Sequence, residues 1–297
     1  MSKPTEAVKR FHSECIDCLL NKSLSKADLA KDEATRLEYM QGILKILSQA
    51  DISMSPPQII GQISALQKGL LNYEDNFEAE KAYFNSLMLS KEPLIWADIE
   101  ASAQPLHTAL NYAMLGNFID FGAMDSVDKG KLNQLLDSAK SLEYDDKEYL
   151  NLINDLKGAK RLIYLTDNCG EIVADKLFIK TILKHFPHLW AEVMVKGKPV
   201  LNDATLKDAK QIGFESVVKV SHNGSNLAGT CLDYISAEAK DKIDSADIII
   251  AKGQANFETL RHCGKNIYYI FMCKCKLFAE RFNVPRLSGM LLNDLRL

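Results

Sequence analysis

The sequence predicts a three-layer α/β/α domain with a mostly parallel sheet, preceded by an all-helical domain. Up to about Ser141, apolar residues recur at spacings of three and four, which is typical of amphipathic helices. From Ala159 onward, short β-rich runs alternate with helical stretches, which is typical of βαβ units. We therefore divide the chain into a helical domain at residues 1–157 and an α/β domain at residues 158–297.

Helices in the first half are indicated by periodic segments and by start signals. The periodic segments are AVKRFHSECIDCLL, TRLEYMQGILKIL and PPQIIGQISALQKGLL. Ser55 stands before Pro56 and Pro57, and a capping serine followed by proline is a typical helix start. Asp125 or Ser126 is a candidate cap for a further helix, and the sequence does not rank the two.

Five strands are predicted in the second half, at RLIYLT, AEVMV, SVVKV, ADIIIA and NIYYIFM. They read as continuous apolar runs rather than as alternating ones. Such strands belong to parallel sheets that are covered by helices on both faces.

Composition and charge exclude several partner classes. The 36 basic and 39 acidic residues give a formal charge of -3, which predicts no nucleic-acid or membrane partner. The polar amino terminus and the shortness of the apolar runs predict a cytoplasmic protein. Seven cysteines are expected to be reduced thiols. Oligomeric state stays open.

Polar side chains follow every predicted strand. In an open parallel sheet, ligands bind beyond the carboxyl ends of the strands. Two carboxylates and carboxamide oxygens there suit a divalent cation, and two lysines suit an anion, so a metal site with a phosphate beside it is predicted. The residues at the five strand ends are Asp167 and Asn168, Asn202 and Asp203, His222 and Asn223, Lys252 and Gln254, and Lys274.

Structural alternatives exist for several of these residues. Glu171 suits the first turn of a helix, where an acid complements the dipole, and Asn202 or Asp203 suits a helix cap. Gly170 permits a tight turn, and Gly253 permits close approach of the backbone. GxxxxGK[ST], GxGxxG and GxSxG patterns are all absent, so nucleotide binding by a P-loop, dinucleotide binding and serine hydrolysis lack support.

Several motifs together resemble the metal-dependent damage-control phosphatase family, also known as domain of unknown function eighty-nine. They are TDNCGEIVADK, KPVLNDAT, GSNLAGT, ADIIIAKGQANFETL and KCKLFAERFNVP, which cover most of residues 159–285. GNFIDFGAM in the helical half adds to the resemblance, and the CIDC of Cys15 and Cys18 points to the subgroup with an amino-terminal CxxC. Cys169 and Ala255 depart from the family's usual alanine and glycine.

The resemblance implies a role for each matching residue. Asp167, Asn168 and Asp203 would coordinate a divalent cation, which is manganese, cobalt, nickel or magnesium. Lys252 would hold the phosphate, and Asp175 and Glu258 stay open as bases or supporting groups. The implied catalytic residues are Asp167, Lys252 and Asp120, and the implied substrate-binding residues are Asn117, Glu171, Lys252, Asn256, Glu258 and Lys274.

The implied activity is hydrolysis of small phosphorylated metabolites, either sugar phosphates or phosphorylated cofactor fragments. The cation would polarise a phosphoryl oxygen and activate a water, and attack by water is favoured over attack by a carboxylate. Two alternatives remain: a carboxyl methyltransferase, which usually needs a more glycine-rich first turn, and a non-catalytic metal-binding regulatory protein. The CxxC of Cys15 and Cys18 is half of a zinc site, a redox pair or two buried thiols on one helical face.

Overall fold

A computed structural model describes residues 10–117, 136, 139, 142 and 144–297. The chain forms two compact units that divide between Asn76 and Phe77. The predicted domain boundary, between residues 157 and 158, lies inside the second unit, shortly before the first strand. The units divide earlier because long helices that precede the sheet pack against a helix of the sheet domain.

The described residues of the first unit form three helices, and the interior between these helices is apolar. Tyr39, Ile43 and Ile59 are fully buried there. The predicted helix start at Ser55 is confirmed, and the Gln58 side chain accepts a hydrogen bond from the Ser55 backbone N–H at 2.8 Å. The helices are α1 (Ser13–Ala27), α2 (Glu33–Gln49) and α3 (Pro56–Leu71).

The described part of the second unit consists of helices around a six-stranded sheet. The strands are β1 (Arg161–Leu165), β2 (Trp190–Val195), β3 (Lys219–His222), β4 (Ile248–Lys252), β5 (Ile267–Met272) and β6 (Gly289–Asn293). The helices are α4 (Glu78–Ala101), α5 (Pro105–Gly116), α6 (Asp146–Gly158), α7 (Glu171–His185), α8 (Leu206–Gln211), α9 (Ala237–Asp244), α10 (Gln254–Leu260) and α11 (Lys276–Phe282).

The sheet confirms the predicted fold class. Its strand order is β3-β2-β1-β4-β5-β6, with the first five strands parallel and β6 antiparallel to β5. Helices cover both faces, since Leu162 and Tyr164 belong to one apolar cluster while Ile163 and Leu165 belong to another. The chain runs from β1 outward to β3 and then returns to β4, so the crevice of the sheet lies between the ends of β1 and β4.

Two strand predictions need correction. The predicted strand SVVKV begins only at Lys219, because Phe214–Ser216 form a 3₁₀ turn. Strand β6 was not predicted. The candidate caps Asp125 and Ser126 lie outside the described residues.

Within the described ranges, no helix combines the length and the apolar character that a bilayer crossing requires. The cytoplasmic location and the absence of a nucleic-acid partner stay predictions.

Candidate metal and phosphate site

The turns that follow β1 and β2 are joined by backbone hydrogen bonds. Asn168 and Asp203 form an isolated β-bridge. The Ala204 N–H donates to the carbonyl of Asp167 at 2.8 Å, and the Cys169 N–H donates to the carbonyl of Asn202 at 2.9 Å. The structure therefore brings together Asp167, Asn168 and Asp203, the three predicted metal ligands, at the ends of adjacent strands.

The three side chains lie in a buried and negatively charged environment. Asp167, Asn168 and Asp203 are all at most 6% exposed. Burial, followed by the nearby charges of Asp203 and Glu171, raises the pKa of Asp167 well above its ordinary value, and Lys274 and Lys196 only partly oppose this. Carboxylates held this close favour a compensating cation, and their oxygens are the ligands that hard divalent cations prefer. The donor set thus fits a divalent metal.

Two amides hold the Asp167 carboxylate. The Asn117 side-chain amide, at the end of α5, donates to Asp167 Oδ2 at 3.0 Å and to Glu171 Oε2 at 2.9 Å. Its own oxygen accepts from the Met272 N–H at 3.1 Å. The Asn168 amide donates to the same Asp167 oxygen at 2.8 Å. Asn117, predicted to contact substrate, is placed by the structure against a candidate metal ligand.

Lys252 lies in a fully buried ionic network behind this carboxylate. Its ammonium donates to the Ala113 carbonyl at 2.7 Å, to Glu171 Oε1 at 2.7 Å and to Asp175 Oδ1 at 2.6 Å. The Tyr164 hydroxyl also donates to Asp175, at 2.7 Å. An ammonium has three N–H donors, so all three are used within the protein. This arrangement favours Lys252 as the group that orders Glu171 and Asp175 rather than as a direct phosphate ligand.

The charge of Lys252 follows from its partners. Burial lowers the pKa of Lys252, but the Asp175 and Glu171 carboxylates outweigh burial and raise it above its ordinary value. Burial raises the pKa of Asp175 to about 7, against the opposing effect of Lys252. Lys252 and Asp175 form one ion pair, and their raised pKa values favour a charged lysine but a neutral acid. We take the charged lysine as the fixed member, because each of its donors meets an acceptor.

The remaining predicted residues occupy different positions. The Asn256 amide donates to the carbonyls of Lys252 at 2.6 Å and Thr166 at 3.2 Å and accepts from Thr230, so it supports the strand ends. Glu258 is half-buried and accepts from Gln254 at 2.7 Å. Half-buried Lys274 acts on Asp167 through its charge. The other implied catalytic residue, Asp120, lies outside the described residues.

Gly253, at the end of β4, lies directly against the Asp167 carboxylate. Its φ is 80° and its ψ is 156°, a backbone conformation that is essentially restricted to glycine. A Cβ atom at this position would lie 1.9 Å from Asp167 Oδ2 and 2.2 Å from its carboxyl carbon. The close approach predicted for Gly253 is therefore present, and its contact is a candidate metal ligand.

For the phosphatase activity that the resemblance implies, Gly253→Ala is expected to lower kcat/KM for phosphate release by about 100-fold, because a displacement of about 1 Å at a reacting centre has an effect of that order. Gly264→Ala is the matched control, since Gly264 has a φ of +76° but nothing within 4 Å of the added Cβ. Both variants strain the backbone, and only the first displaces Asp167. Steady-state assays should separate them, and equal activity of the two variants would contradict this placement of Asp167.

Two residues at the site were not predicted. Lys196 directly follows β2, is 2% exposed and lies with its Nζ 3.4 Å from Asp203 Oδ2. Applying the strand-end criterion to the first residue after β2 would have found it. Asn85 of α4 accepts from the Gly170 N–H at 2.7 Å and so fixes the first turn. No local sequence pattern indicates that an asparagine so far from Gly170 in the chain is buried against it.

The CxxC lies on α1, where Cys15 is half-buried and Cys18 is exposed. Because Cys18 is exposed, the interpretation of the pair as two buried thiols on one helical face is not supported. Across the part of the chain that the structure describes, no group of three or more histidine, cysteine, aspartate or glutamate side chains is arranged to hold a metal. The candidate site at Asp167, Asn168 and Asp203 offers a different donor set, two carboxylates and one amide.

Known proteins match this chain over nearly its whole length. A family model described as the damage-control phosphatase ARMT1-like domain matches residues 11–288. An uncharacterized protein of Methanocaldococcus jannaschii is 30% identical over 297 residues, which span 97% of this chain and 96% of that protein. A damage-control phosphatase of Pyrococcus horikoshii is 30% identical over 280 residues, spanning 92% and 94%. The crystal structure of a DUF89 family protein from Pyrococcus horikoshii matches with a TM-score of 0.79 at 26% identity, covering 96% of this chain and 99% of that one.

Proposed function

Since the chain belongs to the damage-control phosphatase ARMT1-like family, we propose that it is a metal-dependent phosphatase of small phosphorylated metabolites. The main support is the convergence of two carboxylates and an amide from the first two β-to-α turns. The substrates proposed are phosphomonoesters such as sugar phosphates or phosphorylated cofactor fragments.

Asp167, Asn168 and Asp203 are the residues that would hold the cation, with manganese, cobalt, nickel and magnesium as candidates. When bound, a divalent cation would neutralise negative charge on the phosphoryl oxygens. The buried carboxylates support this assignment, because burial and then repulsion from Asp203 and Glu171 raise the pKa of Asp167, and a bound cation would offset both effects.

The chain's own residues would contribute a rigid site. Asn117 and Gly253 fix the Asp167 carboxylate from two sides. Glu171 receives hydrogen bonds from Asn117 and Lys252, which hold its side chain in place. Fixed dipoles and charges of this kind need no reorganisation when charge develops on the phosphoryl group.

Metal removal and restoration tests the proposal. Protein stripped of metal should release no phosphate from a panel of sugar phosphates and phosphorylated cofactor fragments, and at least one of manganese, cobalt, nickel or magnesium should restore release. Phosphate release that is unchanged by chelation would contradict the metal requirement. Metal binding without release from any phosphoester would favour the non-catalytic regulatory alternative.

A further inference from the structure

Lys196 differs from Lys252 in how its ammonium is used. Both are buried, with 2% and 0% exposure. Lys252 donates to three acceptors at 2.6–2.7 Å. Lys196 donates to the Gly229 carbonyl, and its contact with Asp203 is 3.4 Å, longer than a normal hydrogen bond. Lys196 therefore retains donor capacity beside a candidate metal ligand.

The position of Lys196 is fixed by its surroundings. Its backbone N–H donates to the Ala204 carbonyl at 2.8 Å, which ties it to the turn containing Asp203. Gly229, which accepts from its ammonium, has a φ of +70°, and a Cβ there would lie 2.3 Å from the Ala255 carbonyl oxygen. The loop of residues 224–230 thus lies tightly against the start of α10. A lysine anchored in this way loses little further side-chain entropy when it binds a ligand.

We infer that Lys196, rather than Lys252, is the buried cation that binds the phosphoryl group of the substrate beside Asp203. The inference rests on the proposed phosphatase function. The ligand class is a phosphomonoester dianion, whose oxygens accept hydrogen bonds from an ammonium and offset its charge. The competing explanation is that Lys196 only positions Asp203, in which case it would affect the metal rather than the phosphate.

The two explanations predict different losses in Lys196→Met. We expect the inhibition constant of inorganic phosphate, measured with manganese saturating, to rise by at least about tenfold, as for the loss of one charge-assisted hydrogen bond. The dissociation constant of manganese, measured by calorimetry without phosphate, should stay within about threefold of the wild-type value or become tighter, since a positive charge near Asp203 is removed.

Lys81→Met is the matched control, because Lys81 is also 2% exposed and pairs with a buried carboxylate, Asp208, at 2.8 Å. Lys81→Met should lose about as much stability as Lys196→Met, while its phosphate affinity should stay at the wild-type value. Lys196→Gln, which keeps a donor but not the charge, serves if the methionine variant does not fold. Unchanged phosphate inhibition in either Lys196 variant, or a loss of manganese affinity of more than about tenfold, would overturn the inference. If the proposed function is wrong, the wild-type protein itself will show no metal-dependent phosphate release, which is a separate result.

Discussion

Asp167→Asn is expected to lower kcat/KM for phosphate release by about 1000-fold or more and to abolish its dependence on added manganese. The substitution keeps the shape of the side chain but removes the charge that the proposed cation needs. It should not unfold the protein, because burial and the charges of Asp203 and Glu171 raise the pKa of Asp167 in the metal-free fold. Because the pKa of Asp167 is higher in the fold than in the unfolded chain, the metal-free fold loses stability as the pH rises from the unfolded value to the raised one. The neutral amide does not titrate, so it should maintain or raise the melting temperature above that interval.

Asp294→Asn provides the control for removing a buried carboxylate elsewhere. Asp294 is 6% exposed and accepts hydrogen bonds from the His262 N–H at 2.6 Å and the Tyr269 hydroxyl at 2.9 Å. This variant should lose stability and keep its manganese response. Retention of metal-stimulated release by Asp167→Asn at near wild-type rates would show that the proposed ligand is misassigned.

Lys252→Met is expected to destabilise the metal-free protein by about 3–5 kcal/mol, as is typical when one partner of a buried ion pair is removed. Glu171 and Asp175, both fully buried, would lose their common cation. The urea unfolding transition at constant pH measures the loss. Adding Glu171→Gln and Asp175→Asn to Lys252→Met should recover part of it, because the remaining groups are then neutral.

Lys184→Met is the exposed counterpart of this experiment. Lys184 pairs with Glu100 at 3.0 Å, with side-chain exposures of 62% and 46%. Pairs of this kind contribute about 0–1 kcal/mol, so its unfolding midpoint should hardly move. A Lys252→Met loss no larger than that of Lys184→Met would contradict the view that Lys252 holds the interior of the site together.

Much of the fold was predictable because parallel strands have a strong local signal. The runs LIYL and IIIA are apolar and buried, and they form most of β1 and β4. Strand β6 was missed because GMLLN is a single short run without a following helix, and its antiparallel pairing with β5 is a tertiary contact. The helices before the sheet were predicted as helices, but no periodicity shows which unit they pack with.

The candidate site was predictable where strand order alone places residues together. Asp167 and Asp203 follow neighbouring parallel strands, so their turns meet. The partners of Lys252 were not predictable, because the Ala113 carbonyl and Asp175 reach it only through packing of α5 and α7. A lysine at a strand end looks the same in sequence whether it meets substrate or carboxylates.

An anomalous difference map from crystals grown with manganese tests the central claim most directly. We expect one peak at the ends of β1 and β2, on the order of 2 Å from oxygens of both Asp167 and Asp203, with Asn168 as a neighbour. A peak bound elsewhere, or no peak at this position at saturating manganese, would contradict the claim that these two turns share one divalent cation.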